Sequence, residues 1–270
     1  MKQLFAAICI LVTLFSCKDK SDETRKTPGE SELPANVRSL MERVKAHPDS
    51  ITYRLQLVEA LDSLKMYNEA LANMDTVIRK DSINNAYWFR KAQLEESVKD
   101  TTAAINSYLK SISIYPAVDA QLYLANLLAE RKDERSLLIV NNVSRSMFDS
   151  RTLAECDFIA GIYHARTKNY KMADDLFDRC IKNDRKFMEA YVEKGLLLMD
   201  QNRTPEAMIV FHLATTVEPT YADAWYYEGK CLERLGKVKE AIQRYEESLK
   251  YDPQLQEAKD ALSKLRSQQG

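Results

Sequence analysis

The stretch that decides the fold is residues 222–255, ADAWYYEGKCLERLGKVKEAIQRYEESLKYDPQL. It holds Trp225, Gly229, Leu232, Ala241, Tyr245 and Pro253, and several of these have counterparts upstream at fixed intervals. Before Gly229, small residues recur at Gly195, Gly161, Ala125 and Ala92, in steps of 34, 34, 36 and 33. Before Ala241 the same steps reach Ala207, Ala173, Leu137, Ala104 and Ala70, Leu137 being the one larger residue. A bulky series runs Tyr245, Phe211, Phe177, Tyr108 and Met74. A fourth places Pro253, Pro219, Arg185, Pro116, Ser82 and Pro48 at the same interval with one window skipped. Four series in one phase mean a chain built from one repeated supersecondary unit, which buries its apolar faces only by stacking on its neighbours.

The spacing has a physical cause. Gly or Ala on a first helix and Ala on a second let two antiparallel helices approach closely, and the bulky residue a turn later fills the wedge toward the next unit. Pro near the end of the window stops the second helix, because it lacks an N–H and clashes with the preceding turn. Composition agrees with an all-α chain: with only 6 Gly and 7 Pro in 270 residues there are few turn-makers for a many-stranded sheet.

These residues resemble the tetratricopeptide repeat, a helix-turn-helix of 34 residues. The match is best at 222–255, good at 188–221 and 154–187, and looser at 51–84 and 85–117. Window 118–153 is degenerate: it has no Gly or aromatic at the key places, and Asn141 stands where a large apolar residue is expected. The resemblance implies a right-handed superhelix of six repeats over 51–255. A lone capping helix in 34–50 (Asn36 to Ala46) and a solvating helix in 256–270 (Gln256 to Ser267) are expected to close its ends.

The N-terminus reads differently. Met1-Lys2, the apolar run Leu4 to Phe15 broken only by Thr13, and then Ser16-Cys17 make a signal segment over 1–16, too short to span a bilayer. Leu14-Phe15-Ser16-Cys17 resembles the lipobox of bacterial lipoproteins, which implies that Cys17 becomes an acylated first residue anchoring the protein to a membrane. Lys18 in place of an Asp points to the outer membrane, while Lys18-Asp19 with Asp22-Glu23 resembles tags that carry lipoproteins to the surface; either leaflet is compatible. Residues 17–33, charged and almost free of apolar side chains, are expected to form a disordered tether holding the body about 20–24 Å from the lipid.

Catalytic chemistry finds no support. Lys+Arg 39 against Asp+Glu 40 gives a net charge of -1, without the basic excess that nucleic-acid binding needs. The three histidines His47, His164 and His212 are far apart, and no HExxH, GxSxG, GxGxxG or P-loop pattern occurs. No catalytic residue, metal site or small-molecule cofactor is expected. Cys156, Cys180 and Cys231 read as core thiols; Cys156 and Cys180 are the pair within one repeat that could bridge.

Function in the family lies on the concave face lined by first helices. By resemblance the groove-facing places here include Leu55, Phe89, Leu122, Phe158, Val192 and Tyr226, flanked a turn on by Glu59, Gln93, Asn126, Ile162, Leu196 and Lys230. The basic clamp with which some members take a peptide C-terminus is missing, since Asn126 has no basic neighbour in the matching places. The expectation is a non-catalytic, membrane-anchored adaptor binding a protein or peptide of the cell envelope in this groove. The alternative is a surface module that binds a glycan or peptide for nutrient uptake, which would show exposed Trp or Tyr with polar partners in one pocket.

Overall fold

The computed structural model describes residues 33–267; the signal segment, Cys17 and most of the tether lie outside them. Among the described residues there are fourteen α-helices and no strand. A lone helix, α1 (Ala35–Ala46), precedes six antiparallel pairs. These are α2 (Ile51–Ser63) with α3 (Tyr67–Lys80), α4 (Asn85–Ser97) with α5 (Thr101–Ile114), and α6 (Val118–Glu130) with α7 (Arg135–Ser146). They continue as α8 (Ser150–Arg166) with α9 (Tyr170–Asn183), α10 (Met188–Asp200) with α11 (Thr204–Val217), and α12 (Ala222–Arg234) with α13 (Val238–Tyr251). Helix α14 (Gln256–Ser267) follows, burying Ala258, Leu262 and Leu265 on one face. No described helix is long and apolar enough to cross a membrane.

Local chemistry starts and stops these helices. Side chains of Ser50, Asn84, Asp100 and Asp149 accept hydrogen bonds from backbone N–H groups of the first turns of α2, α4, α5 and α8, satisfying donors that a helix start leaves free. Each first helix ends in the same pair of backbone bonds. In the last repeat Gly236 N–H donates to Glu233 O and Lys237 N–H to Leu232 O, with Gly236 at φ 75°, the left-handed turn that glycine adopts without strain.

The core is a string of clusters joining neighbouring pairs, from Val37, Val58 and Met74 at one end to Leu232, Tyr245 and Leu265 at the other. At the closest approach a Cβ built on Gly195 would sit 2.2 Å from the Phe211 ring, so the glycine leaves room for the aromatic.

The third repeat departs from the expected register. The steps of 33 and 36 put Leu137 in the small slot of α7 and Asn141 in the bulky one, but Leu137 is half-buried and Asn141 exposed. The slots are filled one residue earlier, by Ser136 at 0% and Val140 at 3% exposure. Residues saved here reappear downstream: α8 begins at Ser150 and runs 17 residues, against 13 for every other first helix.

Ion pairs tie one unit to the next. Lys91 on α4 pairs with Asp75 on α3, and Lys194 on α10 with Asp178 on α9. The same 16-residue spacing recurs as a contact of 3.3 Å between Glu228 on α12 and the His212 ring nitrogen on α11. Arg166 spans three repeats, holding Glu130 on α6 and Glu193 on α10 with its guanidinium nitrogens at 2.8–3.2 Å.

Candidate functional site

First helices of the second, third and fourth repeats converge on an open groove of about 520 Å³. Phe89 on α4, Leu122 and Tyr123 on α6, Phe158 and Ile159 on α8, and Phe187 from the turn before α10 make its apolar wall. The rings support one another: Phe89 meets Tyr123 edge-on at 5.5 Å, and Phe158 lies 4.9 Å from Phe187. Among these rings Tyr123 is the exposed one, at 46%. Polar groups enter from the same helices: Gln93 and Asn126 one turn beyond Phe89 and Leu122, and Asp119, Arg151 and Glu155 one or two turns before Leu122 and Phe158. Arg151 owes its place to the extra first turn of α8, and its Nε donates to Glu155 at 3.3 Å.

The expected groove residues are therefore divided. Phe89, Leu122, Asn126 and Phe158 share one groove, with Leu122 forming its buried floor. Ile162 is 1% exposed and belongs to the core between α8 and its neighbours, out of reach of a partner. Leu196 lines a separate hollow beside Lys132 and Lys168. Tyr226 packs 5.8 Å from Tyr245 in the last repeat, Leu55 against the first core cluster, and Val192 and Lys230 are half-buried outside the groove. Asp119, Tyr123, Arg151, Glu155, Ile159 and Phe187 were not anticipated. Asp119 and Glu155 stand three residues before Leu122 and Phe158, a helical spacing that could have found them; Phe187, on a turn, carries no such signal.

Titratable groups elsewhere serve packing. Cys156, Cys180 and Cys231 are free and buried, and burial pushes the Cys156 and Cys231 thiols up to about 12. Burial also raises the carboxyls of Glu95 and Asp157; Asp157 is still paired with Arg179 and accepts from Asn183. The Tyr245 hydroxyl donates to Glu233 at 2.8 Å, and Tyr108 donates to Glu96 in the matching place. Trp88 and Trp225 donate to the carbonyls of Ser82 and Pro219, so both are repeat residues and neither joins the groove. Among the described residues no group of three or more His, Cys, Asp and Glu is arranged to hold a metal.

Comparison with known proteins adds to this geometry. Two tetratricopeptide repeat family models match the chain, one at residues 222–255 and one at 86–118. A DnaJ homolog subfamily C member 7 homolog of Dictyostelium discoideum is 26% identical over 210 residues, covering 74% of this chain and 34% of that protein. Protein O-mannosyl-transferase TMTC1 of Homo sapiens is 24% identical over 167 residues, 60% of this chain and 19% of that protein. The chain thus spans about a third and about a fifth of the curated relatives it matches. The crystal structure of a tetratricopeptide repeat protein from Parabacteroides merdae ATCC 43184 superposes with a TM-score of 0.70 over 85% of this chain and 91% of the other, at 15% identity. With its paired helices, its recurring small and bulky slots and these matches, the chain is a tetratricopeptide repeat protein, folded as an all-α superhelix.

Proposed function

We propose that the chain is a non-catalytic adaptor that holds a segment of a protein or peptide partner in the groove of its first helices. The observation that carries this is the meeting of Phe89, Tyr123, Phe158 and Phe187 on one groove with the amides of Gln93 and Asn126 at its wall. An amide side chain both donates and accepts, which suits a peptide backbone, while the rings suit a bulky apolar side chain of the same segment. The groove pairs no nucleophile with a base: its ionisable residues are Asp119, Tyr123, Arg151 and Glu155, and Glu155 is tied to Arg151.

The proposal includes anchoring. The apolar run Leu4 to Phe15 ending at Cys17 supports lipid attachment at Cys17 and residence at the outer membrane, where the adaptor would serve the assembly of an envelope complex. A second reading, a glycan-binding module, has one observation in its favour: the exposed Tyr123 ring beside Gln93 and Asn126.

The test is affinity capture from solubilised membranes with Tyr123→Ala, set beside Ile209→Ala, an exposed apolar residue of α11 outside the groove, as the control. Tyr123→Ala is expected to weaken a specific protein partner by about 1–3 kcal/mol and Ile209→Ala to leave it unchanged. Equal capture by both variants would refute the groove, and thermal stabilisation of the wild type by soluble glycans, lost in Tyr123→Ala, would favour the second reading.

A further inference from the structure

The turn between the first and second helix is the same in all six repeats, and it demands a left-handed residue. That residue is Lys65, Lys99, Lys132, Lys168, Asn202 and Gly236 in order, at φ 59°, 62°, 59°, 64°, 61° and 75°. In each turn its N–H donates three residues back and the next N–H donates five residues back, as Lys99 does to Glu96 and Asp100 to Glu95. Glycine fits this position freely, and asparagine tolerates it through local hydrogen bonding. Lysine has neither advantage, yet four consecutive repeats carry it. Backbone strain kept at equivalent sites is a mark of use.

The use follows from charge. All four lysines are exposed, and their ammonium groups form no hydrogen bond or ion pair among the described residues. Nearby acids are engaged elsewhere: Asp62 by Arg90, Asp100 as the cap of Ala103, Asp133 by Arg135, and Glu130 and Glu193 by Arg166. Glu69, Glu96, Asp100, Glu134 and Asp200 lie in or beside these turns and enter no ion pair among the described residues, Glu96 accepting instead from the Tyr108 hydroxyl. Lys132 and Lys168 also share a hollow of about 370 Å³ lined by Ala165, Leu196, Leu197 and Tyr170, with Asp200 and the Arg166–Glu193 ion pair beside them.

We propose that this turn edge is a docking surface for the anionic headgroups of a phospholipid bilayer, with the hollow between Lys132 and Lys168 receiving a headgroup phosphate. Ammonium groups are compact point charges that meet phosphates without fixed geometry, and a row of four is enough for a surface of anionic lipid. The choice of lipid over a soluble polyanion rests on the anchored reading above, in which a short tether keeps a bilayer within reach.

The experiment compares binding of the full chain to phosphatidylcholine vesicles with and without phosphatidylglycerol. An apolar N-terminus, whether the run Leu4 to Phe15 or acyl chains on Cys17, can enter either vesicle, so the readout is the ratio of the two affinities. The wild type is expected to prefer the anionic vesicles, less so as salt is raised. Replacing Lys65, Lys99, Lys132 and Lys168 by Gly should reduce the ratio by roughly fivefold per lysine, while the melting temperature stays level or rises because the strain is relieved. Lys110→Gln with Lys182→Gln, which removes charge from the second helices, should leave the ratio nearly unchanged. A wild-type ratio near one overturns the proposal, as does a ratio that survives the four glycines. A four-glycine loss confined to soluble polyphosphate, without vesicle preference, replaces lipid by a polyanion. Tyr123→Ala does not touch this edge and should keep the ratio, so this surface and the groove fail separately.

Discussion

Inside each repeat a small side chain on the first helix faces a large one on the second, and their sizes compensate. Gly161, Gly195 and Gly229 accommodate the rings of Phe177, Phe211 and Tyr245, whereas in the first repeat Val58 is matched by the slimmer Met74, both fully buried. Gly195→Ala therefore sets two effects in opposition. Alanine favours a helix over glycine by about 1 kcal/mol, but its methyl would lie 2.2 Å from a ring that has no exposed face, and overpacking of that kind costs about 1–3 kcal/mol. The expected outcome in urea unfolding is net destabilisation of roughly 1 kcal/mol, turning neutral or stabilising once Phe211→Leu has opened the slot. These slots were legible in the sequence, since a size pattern at fixed spacing survives without any structure.

At the scale of the helix, legibility was uneven. Helix α1 covers Ala35–Ala46 just ahead of Pro48, and α14 buries Ala258, Leu262 and Leu265 with charges elsewhere, but α7 does not follow the repeat spacing. Ser136 reads as polar, so the count passed over it to Leu137, although Ser136, Val140 and Val143 share one face of a helix and all three are buried. The substitution weakens this repeat: Val140 fills less of the slot than an aromatic ring, and the Ser136 hydroxyl is buried with no hydrogen-bond partner. Stability in a stacked array is close to a sum of unit and interface contributions, so opening should start at the poorest unit. Hydrogen exchange is expected to be faster in α7 than in α9, α11 or α13; protection of α7 equal to that of α11 and α13 would contradict the packing argument. The same irregularity has a consequence for the site, because the residues displaced from the third repeat lengthen α8 and carry Arg151 to the groove.

For the whole molecule, an evenly spaced apolar stripe was the expectation, and the structure gathers the groove-lining side chains in the middle instead. Phe89, Leu122, Asn126 and Phe158 came from the resemblance to the repeat family, and a place within the repeat does not tell which of the equivalent positions are covered by a neighbour, as Ile162 is, or which turn adds a ring, as Phe187 does. The outer faces of the second helices also carry exposed apolar side chains, Leu138 at 63% and Ile209 at 67%, so they offer the natural rival surface. The most direct measurement is photo-crosslinking in living cells from a reactive residue introduced singly at Gln93, Tyr123, Leu138 or Ile209 of the full chain. A groove that holds the partner gives the same protein adduct from positions 93 and 123 and none from 138 and 209. Adducts from 138 and 209 with none from 93 and 123 would contradict it.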